Sequence, residues 1–272
     1  MKRISVSLLF AISLFAWSSP ALTGEALDFA VIQPGQPGTS QEAQPVMDSL
    51  ARYVEEKMGK GITVKGRYFN DLDQALDFMR NTPPKWGIVR LGFYAQFSRS
   101  FPIMALASTR PGGSGKDVWR LAVNHEAPGE WRALRGNVLG NMLFETDAAA
   151  CILFGCQAAQ LPFKLKGTSS PLRSLRMMIR GKAAGVVLDR MQYEALKALP
   201  LAKKIKIILT SGELPTSPMV CFGRPDERME RLAVILKGMR RDPDADALLG
   251  LLQTDGFGPP DSDLPGFRLG VK

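Results

Sequence analysis

Residues 26–92 read ALDFAVIQPGQPGTSQEAQPVMDSLARYVEEKMGKGITVKGRYFNDLDQALDFMRNTPPKWGIVRLG. The apolar runs ALDFAVIQP, GITVKGRYF and WGIVRLG predict three strands, because each is short and bounded by turn-forming residues. Apolar residues at helical spacing predict two helices between them, the first with Ser40 as its N-cap and Gly59 as its end. This alternation of strands and helices predicts an α/β layer with a largely parallel sheet.

The remaining sequence predicts a second α/β set and then a return to the first. A break near Ser108–Gly115 follows the strand-like run FPIMALAST, and the chain turns back near Thr210–Gly212. We therefore predict two interdigitated lobes joined by a two-strand hinge. The first lobe would comprise residues 27–108 and 211–272, and the second residues 109–210. In such an arrangement a ligand binds in the cleft, at strand C-termini and helix N-termini.

The N-terminal stretch MKRISVSLLFAISLFAWSSPA has a basic start, an apolar core and small residues at its end. This pattern predicts a secretory signal peptide over residues 1–21, with cleavage as late as residue 26. The alternative is an uncleaved anchor, for which the run is short, since a spanning helix needs about 20 apolar residues. The mature chain is expected to be a periplasmic monomer without stable membrane insertion.

The chain carries a formal net charge of +9, and removal of the leader with Lys2 and Arg3 leaves +7. The basic residues are interleaved with acids and do not form a stripe with stacking aromatic residues. Such a stripe is what nucleic-acid binding would require. The composition therefore predicts a solvated basic surface and no nucleic-acid partner.

The sequence offers no grouping of residues typical of an enzyme active site. The segment PGGSGKD fails as a phosphate-binding loop, because Arg110 stands where the first glycine belongs and Asp117 follows the lysine. His125 is the only histidine, and no partner lies at the spacing of a catalytic triad or a zinc site. We predict that the protein is not an enzyme and binds no cofactor or metal.

Three cysteines, Cys151, Cys156 and Cys221, leave at least one thiol unpaired. On a helix, Cys151 and Cys156 would be too far apart for a disulfide. We expect three buried thiols that act as small apolar residues. The alternative is a disulfide between Cys221 and one of the other two.

Polar residues that follow predicted strands are the candidate ligand contacts. Arg90 ends the run GIVR, and its guanidinium matches two oxygens of a carboxylate or phosphate; the alternative is a surface arginine paired with an acid. Asp189 ends AGVVLD and either accepts from a ligand amine or hydroxyl or caps the next helix. The loop QPGQPGTS either directs hydroxyls and N–H groups into the cleft or only caps a helix. The candidate ligand-binding residues are Gln33, Thr39, Ser40, Arg90, Tyr94, Thr146, Asp147, Asp189 and Tyr193.

Four stretches, in order and spacing, resemble the phosphate/phosphite/phosphonate substrate-binding proteins of ABC transporters. They are the segment 27–81, WGIVRLGFYAQF (86–97), RGKAAGVVLDRMQYEAL (180–196) and the segment 205–257, which ends in LLGLLQTDGF. The resemblance implies a type II periplasmic binding protein fold, in which two α/β lobes close over one small ligand. It implies no reaction, and its usual partner is a membrane permease.

The segment FETDAAACILFG (144–155) departs from the pattern of this family. Members that hold phosphonates begin this helix with a Ser-Thr-Ser-Gly-like segment whose hydroxyls and N–H groups surround the oxyanion. Here the segment is Glu145, Thr146, Asp147 and Ala148. Two like charges about 4 Å apart repel by roughly 1 kcal/mol in water and by more in a partly dry cleft. The segment favours an amine-bearing, zwitterionic or neutral ligand, or a site that has changed its role. A helix cap at Thr146 or Asp147 agrees with each.

Together these observations predict a periplasmic solute-binding protein of an ABC uptake transporter, of the phosphonate type but with an altered anion site. The alternative keeps the fold and the small-molecule ligand but not transport. In that case the chain is a ligand-sensing or interaction module that acts on a membrane receptor such as a histidine kinase.

Overall fold

The computed structural model describes residues 25–36 and 38–269. The predicted signal peptide lies outside these residues. The strands are, in chain order, β1 (Glu25–Ala26), β2 (Phe29–Ile32), β3 (Ile62–Thr63), β4 (Gly66–Phe69), β5 (Trp86–Val89), β6 (Ile103–Thr109), β7 (Lys116–Asp117), β8 (Arg120–Asn124), β9 (Asn137–Gly140), β10 (Lys164–Gly167), β11 (Gly185–Leu188), β12 (Ile205–Thr210), β13 (Leu214–Pro215), β14 (Pro218–Phe222) and β15 (Phe257–Gly258).

The α-helices are α1 (Ser40–Met58), α2 (Leu72–Asn81), α3 (Leu91–Phe97), α4 (Thr146–Phe154), α5 (Pro171–Ile179), α6 (Arg190–Lys197), α7 (Glu227–Gly238) and α8 (Asp246–Leu251). Short 3-10 helices span Pro111–Gly113, Trp131–Ala133, Ala158–Gln160, Pro200–Lys204, Met239–Arg241, Pro243–Ala245 and Leu264–Phe267.

Two separate sheets carry the fold. The first sheet has the order β15-β6-β14-β5-β2-β4, and the second has the order β10-β9-β11-β8-β12. The chain builds β2, β4, β5 and β6 of the first sheet, then all of the second sheet, and returns to add β14 and β15. The elements that pack on each sheet form one lobe, so the predicted two-lobed α/β architecture is confirmed. The residue-level lobe boundaries stay a prediction.

The two connections between the sheets pair with each other. Strands β7 and β13 form an antiparallel ribbon, with Leu214 opposite Asp117 and Pro215 opposite Lys116. The ribbon is the two-strand hinge that the chain order predicted.

Strand directions differ from the expectation of mostly parallel sheets. In the first sheet β2 is parallel to β4 and β5, whereas β14 is antiparallel to both β5 and β6. In the second sheet β9 is parallel to β10 and β11, whereas β8 is antiparallel to β11 and β12. Each antiparallel pair includes a strand next to a hinge connection, since β8 and β14 enter their sheets from the hinge ribbon whereas β6 and β12 run towards it.

The core lies in three apolar clusters, one of which is shared by both lobes. One cluster joins α1, α7 and α8 to the first sheet, and another joins α5 and α6 to the second. The largest cluster includes Phe93 and Tyr94 of α3, Leu143 before α4, and Leu121 and Val123 of the second sheet. The lobes are therefore packed against each other through α3 and α4, on one side of the cleft.

Several local predictions are corrected. Thr39, not Ser40, is the N-cap of α1, and Ser40 is its first helical residue. The strand predicted as WGIVRLG ends at Val89, and its last two residues begin the buried helix α3, for which Arg90 is the N-cap residue. Helix α4 ends at Phe154 and is followed by Gly155 in the left-handed conformation at φ 68°, so Cys156 lies beyond the helix on which it was placed with Cys151.

The cysteines are all unpaired, and all lie in the part of the chain that the structure describes. Cys221 is buried and Cys156 is half-buried, but Cys151 is exposed, because it lies on the outer face of α4. The expectation of three buried thiols is therefore wrong for Cys151. Among residues 25–36 and 38–269, no helix has both the length and the apolar character of a membrane-spanning segment.

Candidate functional site

A cleft of about 610 Å³ lies between the two sheets, beside the hinge ribbon. Its walls come from the loop after β2, the start of α3, the loop between β9 and α4, the start of α6, both hinge connections and the chain after α8. The charged side chains in these walls are Arg90, Lys116, Asp117, Glu145, Asp189, Arg190 and Asp255. Each lobe therefore contributes charged groups to one common space.

Arg90 lies at the carboxyl end of β5, where it is also the N-cap residue of α3. Its guanidinium donates from Nη1 to the backbone carbonyl of Asn141, in the opposite lobe. Burial lowers the pKa of Arg90, while the carboxylates of Glu145 and Asp189 raise it. An arginine stays protonated at neutral pH even when buried. Arg90 is therefore a fixed positive charge in the wall of the cleft.

Glu145, the N-cap residue of α4, is completely buried, with 0% of its surface exposed. Within the described residues neither of its carboxylate oxygens has a hydrogen-bond partner. Burial raises the pKa of Glu145 to about 7, although the charge of Arg90 and, to a smaller extent, the residue's own backbone N–H lower it; that N–H does not reach either oxygen with hydrogen-bond geometry. Asp147, two residues later, is exposed. The two carboxylates thus occupy different environments and do not act as one negative pair, in contrast to the sequence prediction.

Asp189 and Asp117 face the cleft from the second lobe and the hinge. Asp189 caps α6 by accepting from Gln192 N at 2.8 Å, and burial raises its pKa to about 6. Asp117 Oδ1 accepts from Arg190 N at 2.9 Å, and its Oδ2 accepts from Trp119 Nε1 at 3.1 Å. Both carboxylates are therefore already hydrogen-bonded by the protein, and the cap predicted for Asp189 is present.

Lys116, in the hinge strand β7, is paired with the C-terminal segment. Its Nζ lies 2.9 Å from Asp261 Oδ2 and 2.7 Å from Asp263 Oδ2. Hydrogen bonds to both carboxylates raise the pKa of Lys116. The charge of Lys116 is thus balanced inside the protein, unlike the charges of Arg90 and Glu145.

The lobes also contact each other at three points, two of which involve a glycine and one a side-chain amide. A side chain on Gly92 would meet Glu145, since a Cβ there would lie 2.8 Å from Oε2. Gln96 Oε1 accepts from Ala148 N at 3.2 Å. Gly35, at φ 80°, leaves room for Phe144, because a Cβ on it would lie 2.1 Å from Phe144 Cε2. The cleft is therefore bounded by a close interlobe contact along α3 and α4.

Three of the nine candidate residues line this cleft, namely Gln33, Arg90 and Asp189. Each follows a strand that ends at the cleft, as the sequence order predicted. Their contact with a ligand stays a prediction.

The other six candidates are not in the cleft wall. Thr39 is the exposed N-cap of α1, and Ser40 is exposed beside it. Tyr94 is buried within α3, and its hydroxyl accepts from Arg268 Nε at 3.0 Å. Tyr193 packs under the guanidinium of Arg120, 4.5 Å from its ring centroid.

Thr146 and Asp147 are the first two residues of α4, and neither lines the cleft. Glu145 holds the N-cap position, so neither residue caps α4 as expected. Ligand roles for these two residues, and for Thr39, Ser40, Tyr94 and Tyr193, stay predictions without support from the geometry of the cleft.

Sequence reasoning missed most of the other residues in the wall, among them Asp117, Trp119, Asn141 and Gln253. Two signals were available. Asp117 lies where the chain is predicted to pass from one lobe to the other. A segment that joins two lobes necessarily borders the cleft between them. Gln253 lies in the LLQTDGF segment, which was singled out only for its resemblance.

Solved structures of three proteins share this architecture over most of their length. XAC2383 from Xanthomonas citri, solved with chloride and with ATP, has a TM-score of 0.69 at 18% identity, covering 89% of this chain and 95% of that chain. PA3383 from Pseudomonas aeruginosa, a binding protein component of an ABC phosphonate transporter, has a TM-score of 0.61 at 14% identity, covering 88% of this chain and 82% of that chain. PhnD1 from Prochlorococcus marinus, in complex with methylphosphonate, has a TM-score of 0.61 at 10% identity, covering 88% of this chain and 94% of that chain.

This chain has the type II periplasmic binding protein fold. At identities of 18% or less, the likeness establishes the type II fold and not the ligand. No protein-family model matches the sequence, and no curated protein matches it significantly. PA3383 is described as a binding component, and PhnD1 is described with a bound ligand, so neither comparison names a reaction. That the chain is not an enzyme stays a prediction.

Proposed function

We propose that this chain is a periplasmic solute-binding protein that captures a small polar ligand in the cleft between its lobes, for uptake through a membrane transporter. The observation that carries the proposal is the charged cleft between the two sheets, with Arg90 of the first lobe facing Asn141 and Glu145 of the second. Its volume of about 610 Å³ is within the range of small-molecule sites. Closure of two lobes over such a space would remove most of a ligand's surface from water.

The ligand is not expected to be a simple phosphonate dianion. Glu145 begins α4, at the place where phosphonate-binding relatives are expected to supply hydroxyls, and its carboxyl is buried in the cleft wall. Ionised, that carboxyl would repel an anion in a region of low dielectric constant. The likeness to PA3383, a component of an ABC phosphonate transporter, favours uptake as the role, and a permease as the membrane partner stays a prediction alongside a sensor.

Ligand binding by the purified mature protein tests this proposal directly. A panel of phosphate, methylphosphonate, amino acids, polyamines and thiamine-like cations would be screened by thermal shift. A ligand at one hundred times its Kd stabilises the folded state by about 2.7 kcal/mol. For a chain of this size, that stabilisation raises Tm by about 5–10 °C.

The variant Arg90→Gln locates the binding in the cleft. It is expected to weaken binding of the stabilising solute at least tenfold, since Arg90 is the cation of the first lobe that projects into the cleft. The control Arg80→Gln removes an equal charge from an exposed position on α2, where Arg80 pairs with Asp77, and should leave the affinity unchanged. If no solute in the panel stabilises the protein, or if both variants bind equally well, the proposal is wrong.

A further inference from the structure

The loop between β9 and α4 holds three buried hydrogen-bond acceptors without partners. They are both carboxylate oxygens of Glu145 and the side-chain oxygen of Asn141, counted over the residues that the structure describes. Glu145 is 0% exposed and Asn141 is 7% exposed, and both residues line the cleft. Buried polar groups in native proteins are almost always hydrogen-bonded, so an unpaired set of this kind requires an explanation.

The surroundings of Glu145 do not supply the missing partners. Arg90 acts on its charge, but no ion pair within 4.0 Å joins the two among the described side chains. Helix α3 packs on the carboxyl through Gly92, and its sequence LGFYAQF contains no charged residue. Its one titratable group, Tyr94, is hydrogen-bonded to Arg268 instead. The other charged group on the same helix start, Asp147, is exposed.

We infer that Glu145 and Asn141 form the subsite for a protonated amine of the ligand, so that the cleft selects an ammonium-bearing solute whose acceptor or anionic group is held by Arg90. The inference rests on the proposed function, whose ligand it assigns to a chemical class. An ammonium group carries three donors and no acceptor, which matches the three unpaired oxygens. Guanidinium and carboxylate from opposite lobes then bind the two ends of one molecule.

The competing interpretation is that Glu145 stays protonated and donates to an anion. Its pKa of about 7 makes both protonation states accessible near neutral pH. The two interpretations differ in the sign of the proton exchange on binding. A cationic group favours the ionised carboxylate, so its binding releases a proton, whereas an anion favours the carboxylic acid, so its binding takes up a proton.

Matched pairs of probes, differing only in the amine, separate the classes. We would use 4-aminobutyrate with butyrate, aminomethylphosphonate with methylphosphonate, and 6-aminohexanoate with hexanoate, each screened by thermal shift at pH 7. At least one amine-bearing probe is expected to stabilise the wild-type protein by more than its amine-free partner. Calorimetry of that probe in two buffers of different ionisation enthalpy should show proton release.

The variant Glu145→Gln, with Asp147→Asn as its control, tests the residue. E145Q is expected to bind the stabilising amine at least tenfold more weakly and to release no proton, while D147N, which changes the neighbouring exposed carboxylate, should bind within twofold of wild type. Stabilisation by amine-free probes alone overturns this inference and leaves the proposed function standing. Absence of stabilisation by any of these probes also overturns the inference, whereas the proposed function fails only if no solute of its own, wider panel stabilises the protein. Proton uptake, or equal binding by E145Q, overturns the assignment of Glu145.

Discussion

The carboxyl of Glu145 gives the stability of the protein a defined pH dependence. Burial raises its pKa from an ordinary value of 4.5 to about 7 in the folded chain. Between these values the folded state holds a proton that the unfolded state has lost. The free energy of unfolding therefore falls as the pH rises through this window, by on the order of 3 kcal/mol in total.

Replacement of Glu145 by Gln should remove this dependence, because Gln keeps the shape of the side chain without its ionisation. The stability of E145Q relative to wild type is expected to increase by on the order of 3 kcal/mol between pH 4.5 and pH 8. Urea denaturation across that range measures it. The slope from Asp189, whose pKa is raised to about 6, is common to both proteins and cancels. A difference that stays constant with pH would contradict the prediction.

At the same residue scale, the sequence predicted which segment would be unusual but not how its carboxylates would be arranged. Glu145 and Asp147 are separated by one residue, and nothing local distinguishes them. Their difference in burial arises because α3 of the other lobe, through the missing side chain of Gly92, covers one and not the other. Arg90 and Asp189 were predictable as cleft residues, since each directly follows a buried strand.

At the scale of the element, helix α1 begins with a capping box that gives Thr39 a structural role. Thr39 Oγ1 accepts from Glu42 N at 3.2 Å, and Glu42 Oε2 accepts from Thr39 N at 2.7 Å. Thr39→Ala should lower the free energy of unfolding by about 1 kcal/mol, because the N–H of Glu42 in the first turn of the helix loses its acceptor. Chemical denaturation measures this loss.

A hydroxyl at residue 39 is the property that matters for this cap, so Thr39→Ser should recover most of the stability. Neither substitution is expected to change the affinity for the solute that stabilises the wild-type protein, because Thr39 lies outside the main cleft. A large loss of affinity in T39A, with stability unchanged, would instead support the ligand contact predicted from the sequence.

Helices were predictable from the sequence where capping residues and apolar periodicity are pronounced. They were not predictable where these signals are weak. Helix α1 has periodic apolar residues and ends at Gly59, and both features are visible in the sequence. Helix α3 has neither a side-chain cap within the described residues nor a polar face, since Leu91–Ala95 are all buried. A short apolar segment of this kind cannot be distinguished from a strand by its periodicity alone.

At the scale of the whole molecule, the site is assembled from segments that are far apart in the sequence. Trp119 follows one hinge connection, and Gln253 lies beyond the return to the first lobe, yet both border the cleft with Arg90. The predicted crossings gave the correct topology. They could not give these neighbours, because which side chains meet depends on how closely the lobes approach.

How closely the lobes approach each other is tested most simply at Gly35, where the loop after β2 meets the opposite lobe. A Cβ on Gly35 would lie 2.1 Å from Phe144 Cε2, and the residue has a φ of 80°. Gly35→Ala is therefore expected to hold the lobes apart and to weaken solute binding at least tenfold, in addition to a loss of stability of on the order of 1 kcal/mol from backbone strain. Small-angle scattering with saturating solute should show a larger radius of gyration than for wild type.

The double variant G35A/F144A separates the steric effect from the backbone effect. Removal of the Phe144 ring clears the position that the added methyl group would occupy, so solute affinity and compactness should recover in part, whereas the strain at residue 35 remains. Gly113, also at positive φ but with open space around it, provides the control Gly113→Ala, which carries the strain without the interlobe clash. If G113A and G35A weaken binding equally, the contact between Gly35 and Phe144 does not control the closed arrangement, and the packing of α3 on α4 must be sufficient to maintain it.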